Sequence, residues 1–186
     1  MIKLKILLLV SVIFIFIGCL TFESFKVQIH FLNDSYSSGM VTLTYYGLQT
    51  DADSLRKRQN DFEDIVSFYQ DDDFLLDEMD DGIYVKNRDI FEDGKGLGFT
   101  YSGIFKKLSM DGAEFKVLTD VILFELDKDD MIIVDTNGEI CQDSAKVYIT
   151  WPKGTMDLFW ESKSQTKDGE LHSLVPFYRE WKAAHP

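Results

Sequence analysis

Cysteine, proline and histidine are all scarce in this 186-residue chain, at two, three and three copies. So few prolines, and no Gly- or Ser-rich tract, leave no linker, repeat or low-complexity segment, and the length fits one domain. His30, His172 and His185 lie far apart without H-x-x-x-H or H-x-x-E spacing, so no zinc site is read from them. Positive charge is also short: 19 Lys+Arg face 32 Asp+Glu, a formal net charge of −13. That balance excludes a nucleic-acid partner, which needs a basic footprint, and disfavours adhesion of the folded domain to anionic head groups. Catalytic signatures are missing too. No G-x-S-x-G elbow occurs, and Gly94-Lys95-Gly96-Leu97-Gly98 lacks the spacing of a phosphate-binding loop. No enzyme activity, metal or cofactor is expected.

What the chain has is apolar material. Hydrophobic residues make up 45% and aromatics 14%, which excludes a mainly disordered chain. Phe25, Val27, Ile29 and Phe31 alternate with Lys26, Gln28 and His30, the period of a half-buried strand. Val41, Leu43 and Tyr45 repeat the pattern after the turn cluster Asn33–Gly39, which predicts a hairpin. A helix follows, capped by Thr50, Asp51 or Asp53, with Leu55, Phe62, Ile65, Val66 and Tyr69 on its apolar face. Asp71-Asp72-Asp73 ends it or caps a short second helix, Phe74 to Met79.

Hairpins are predicted at 83–91 with 97–105, at 121–126 with 131–135, and at 147–151 with 156–160, with a loop at 109–112. Gly98 and Gly103 suggest bulges or close packing. A last amphipathic helix, opened by His172, runs from about Glu170 to Ala184. The fold class is α+β: an antiparallel sheet built from hairpins, with an amphipathic helix after the first hairpin and a C-terminal helix packed on the sheet.

Residues 1–18 read as an address. Lys3 and Lys5 precede Ile6 to Ile17, an apolar run broken only by Ser11. A dozen apolar residues are short for a bilayer span of roughly 20, but suit the h-region of an export signal. Phe16-Ile17-Gly18-Cys19 resembles the lipobox of bacterial lipoproteins, with Phe16 where that family prefers Leu. The resemblance implies cleavage before Cys19, lipidation of its thiol, and one anchored extracytoplasmic domain, 19–186. Two or three acyl chains, at about 0.8 kcal/mol per buried methylene, make release negligible. Losing Lys3 and Lys5 takes the charge from −13 to −15. The implied location is the bacterial envelope, at the outer membrane or the periplasmic face of the inner one. Leu20 and Thr21 are not Asp, which weakly favours the outer membrane. Cys141 is then alone, and its acidic setting argues for a small buried hydrophobe rather than a nucleophile.

The acidic runs at 71–81 and 127–130 do not match the EF-hand spacing and read as solvated turns and helix ends. The aromatic excess near the C-terminus is more telling. Trp151, Trp160, Phe177 and Trp181 are candidates for an apolar ligand or partner surface, or for simple packing of the last helix. The hairpin VQIHFLNDSYSSGMVTLTY, a helix, and DGIYVKNRDIFEDGKGLGFTYSGIFKKL resemble LppM-type small lipoproteins over residues 21–108, with Ser35 where a Gly is expected. That resemblance implies an extracytoplasmic β-rich domain linked to lipid or envelope functions. The partners implied are the membrane, through the N-terminal lipid, and another envelope protein or a lipid. The leading expectation is a non-catalytic interaction domain, the alternative a lipid or hydrophobic-ligand carrier. An unpaired sheet edge or exposed apolar patch would favour the first, and an enclosed apolar cavity the second.

Overall fold

The structure, a computed structural model, describes residues 20–106, 113–127, 131–164 and 170–185. The predicted loop at 109–112 lies outside them. In chain order the elements are β1 (Leu20–Thr21), β2 (Ser24–Phe31), β3 (Ser38–Thr50), α1 (Leu55–Gln70), α2 (Asp72–Asp80), β4 (Ile83–Asp93) and β5 (Gly96–Lys106). Then come β6 (Ala113–Val117), β7 (Val121–Asp127), β8 (Met131–Thr136), β9 (Glu139–Gln142), β10 (Lys146–Pro152), β11 (Asp157–Ser164), β12 (His172–Ser173) and α3 (Val175–Ala184). The class is α+β, with antiparallel sheets and a C-terminal helix packed on the larger one.

Two sheets form rather than one. The larger runs β4-β5-β3-β2-β11-β8, with β1 and β12 both pairing to the end of β3, and the smaller runs β6-β7-β10-β9. Two predicted hairpins therefore do not exist. β7 pairs β6 and β10, whereas β8 pairs β11 in the other sheet. β10 and β11 likewise follow one another in sequence but lie in different sheets. Alternation identifies a strand and its buried face, yet it does not say which strand lies beside it. The hairpins β2–β3 and β4–β5 do form.

The cross-strand rows explain the larger sheet. Val27 faces Leu43, which faces Tyr101; Phe25 faces Tyr45, which faces Phe99. All six are buried. Two layers cover this face. Phe68 of α1 and Phe74 of α2 pack on Phe99, and Phe74 also meets Tyr101 edge-on at 5.1 Å. Further along the same face the small sheet supplies Phe124 and Trp151 against Trp160 of β11, and Phe115 against Phe31. Each large apolar side chain so buried contributes about 2 kcal/mol.

Local chemistry sets the helix ends. Ser54, not Thr50, Asp51 or Asp53, caps α1, accepting from the Lys57 amide. Thr50 is committed elsewhere, to Asp61 and the Ala52 amide, and Asp53 pairs with Lys57 at 3.1 Å. Leu55 opens the helix pointing away from the sheet and is 71% exposed, while Phe62 and Ile65 are buried as expected. Asp71 has extended backbone and separates α1 from α2; Gly82, at φ 88°, ends α2. The final helix starts at Val175, with Pro176 in its first turn. His172 lies earlier, in β12 opposite Thr50.

Candidate functional site

The two edges of the large sheet are treated differently. At β4, helix α3 reaches the edge at two points: the Tyr178 hydroxyl donates to the Ile90 carbonyl at 3.0 Å, and Arg179 pairs with Glu92. A side chain bonded to an edge carbonyl occupies a backbone group that another strand would need. At the opposite edge, no described strand pairs with the outer side of β8.

β8 and β9 form one bent strand that passes from the large sheet to the small one, with the bend at Asn137-Gly138. The Asn137 side chain holds the bend. Its Oδ1 accepts from the Trp151 indole at 2.7 Å and the Phe159 amide at 2.9 Å, and its Nδ2 donates to the Asp157 carbonyl at 2.8 Å. Gly138 is needed because a Cβ there would come within 2.8 Å of Trp151 and Ile149. β9 is likewise the outer strand of the small sheet, and all four of its residues are exposed. The free side of 131–142 thus spans both sheets. Ile132, Val134 and Ile140 are 56%, 45% and 48% exposed. The segment has no Lys, Arg, His or Pro.

A second feature is an open cleft of about 760 Å³ between β4, the end of α1 and α3. Tyr69, Phe91, Tyr178 and Trp181 give it aromatic walls, and Asp89, Glu92, Asp93, Arg179, Lys182 and His185 a charged rim. Its charges answer one another. The Arg179 guanidinium holds the Glu92 carboxyl below its ordinary range, and Lys182 donates to the Tyr178 hydroxyl at 3.1 Å.

The predicted aromatic residues fall into two separate clusters. Trp151 and Trp160 are buried between the sheets, their rings 6.3 Å apart, with Phe124 4.2 Å from Trp160. Phe177 and Trp181 are half-buried on α3, where both pack on Phe62 of α1. Trp181 lines the cleft; Trp151 and Trp160 fill the interior. Cys19 lies outside the described residues. Cys141, expected to be buried, is exposed as a free thiol in β9, where all four residues are exposed.

One buried polar cluster was not signalled by any motif. Glu78 of α2 is 5% exposed and interacts with the Tyr101 hydroxyl, which in turn interacts with Tyr45. Burial pushes the Glu78 carboxyl up to about 7, with Asp81 and Asp77 adding to the rise against the bond from Tyr101. Burial also raises both tyrosines. None of the three lines the cleft. Among the described residues, no group of His, Cys, Asp and Glu is placed to hold a metal ion, and no helix is long and apolar enough to cross a membrane. No family model matches this chain, and no curated protein or solved structure is detectably similar to it.

Proposed function

We propose that the protein is a lipid-anchored lipoprotein of the bacterial envelope whose α+β domain is a non-catalytic protein-interaction module. The observation that carries this reading is the position of the fold relative to the lipobox-like Phe16-Ile17-Gly18-Cys19. Leu20, the residue after Cys19, is already 7% exposed and paired with Thr50. Cleavage before Cys19 would therefore leave the domain whole and attach the lipid at its first strand. The interaction role is supported by the open β8–β9 edge, since an unpaired edge is a template for another chain. Palmitate labelling of the full chain in a bacterial host tests the anchor. Wild type is expected to take up label and sediment with membranes, and Cys19→Ala to do neither. Equal labelling of both, or none of wild type, would overturn the anchor.

A further inference from the structure

We propose that the free edge of residues 131–142 binds an extended, basic-apolar segment of another protein by strand addition. The inference rests on the interaction-module reading and names its surface and the chemistry of its partner. It does not depend on the lipid.

Natural sheets protect edges with Lys, Pro, a covering helix or very short strands. In the same sheet α3 reaches the β4 edge at Ile90, whereas no described strand pairs with the outer side of β8. Ile132, Val134 and Ile140 are exposed along the open edge, and β-branched residues favour a further strand. Main-chain hydrogen bonds would supply affinity and these side chains the selectivity.

Charge decides between occupants. The segment carries Asp135 and Glu139 and no cation, in a chain of net charge −13. One cation, Lys163, stands beside it, opposite Ile132. A second copy paired antiparallel about Asn137 would set each Asp135 against the other copy's Glu139, and like charges facing across strands are destabilising. A segment alternating apolar residues with Lys or Arg meets both the exposed aliphatic groups and the acids.

The test uses the full chain in detergent and a blocked 12-residue peptide of alternating Val and Lys. Two control peptides carry Pro in place of alternate Val, or Glu in place of Lys. Binding is read by fluorescence anisotropy, and its location by backbone hydrogen exchange. The Val–Lys peptide is expected to bind and to slow exchange within 131–142. The Pro and Glu peptides, and the variant Val134→Lys with Ile140→Lys, are each expected to bind at least tenfold more weakly. Should that variant lose its native circular dichroism, Ile140→Glu replaces it, with at least twofold tighter binding expected. Equal binding of the Val–Lys and Pro peptides would reduce the effect to charge and overturn the proposal. So would no binding, unchanged or weaker binding by Ile140→Glu, or a concentration-dependent dimer that already protects 131–142. Loss of palmitate labelling would overturn the anchor and leave this result unaffected.

Discussion

Replacing Glu78 with Gln should make the protein more stable at neutral pH, and by an amount that depends on pH. Glu78 is buried beneath α2 and its carboxyl titrates at about 7 in the fold against 4.5 when free. The folded state therefore binds the proton more tightly than the unfolded one. The stabilisation from a neutral Glu78 is fully present below about 4.5 and is lost as pH rises through about 7. At about 1.4 kcal/mol per pH unit, the penalty at pH 8 is about 3 kcal/mol. Gln carries no charge and can still accept the Tyr101 hydroxyl. Thermal melts of wild type and Glu78→Gln should coincide within a degree or two near pH 4.5 and separate by about 6–12 °C at pH 8. The difference between the two proteins is the quantity to follow, because exposed carboxylates paired with cations, such as Glu92 and Glu125, titrate in both. A separation that is the same at both pH values, or a variant less stable at pH 8, would refute the reasoning.

Asn137→Ala should lower stability by about 2–4 kcal/mol in denaturant titrations, because the Trp151 indole and the Phe159 amide both lose their acceptor. Asn137→Asp, which keeps the acceptor but sets a carboxylate oxygen against the Asp157 carbonyl, should recover only part of that loss. Gly103→Ala should cost about 1–3 kcal/mol by the same measurement, since the added methyl would lie 2.6 Å from the Tyr84 carbonyl oxygen, at the bulge where β4 crosses β5. Cys141 should react stoichiometrically with a maleimide in the native protein; labelling that needs denaturant would contradict its exposure in β9.

The legible parts of the fold were those set by local sequence. Alternation in 25–31 and 41–45 found β2, β3 and their buried face, and the apolar spacing of Phe62 and Ile65 found α1. What escaped was set by contacts distant in sequence. β8 and β11 pair across an interval that contains β9 and β10, and nothing in Met131–Thr136 names that partner. The sequence groups Trp151 and Trp160 with Phe177 and Trp181 as candidates for one apolar surface. The two sheets close over the first pair, and α1 meets the second. Glu78 looked like one more solvated acid in a run of acids. It differs from Asp77 and Asp80 in one added methylene and in the helical phase that turns it toward Tyr101. The open edge did leave a trace in the sequence: twelve residues without Lys, Arg, His or Pro, with Ile132, Val134 and Ile140 among them.

That trace is a matter of where the charge is placed. A chain with 32 acidic residues could have put one of its 19 basic ones on β8 as a local guard against pairing. Instead, Lys95 and Lys26 sit over Tyr46 and Phe159, while Lys116 and Lys146 share Glu125. Solubility then rests on the net charge of the whole surface, which repels copies of the same chain at any orientation. Such a guard discriminates by charge: it keeps acidic copies apart and leaves the edge open to a basic strand. A lysine on β8 would have closed the edge to both. The combination of a large global negative charge and an edge without local protection therefore favours pairing with a different, basic chain over pairing with itself.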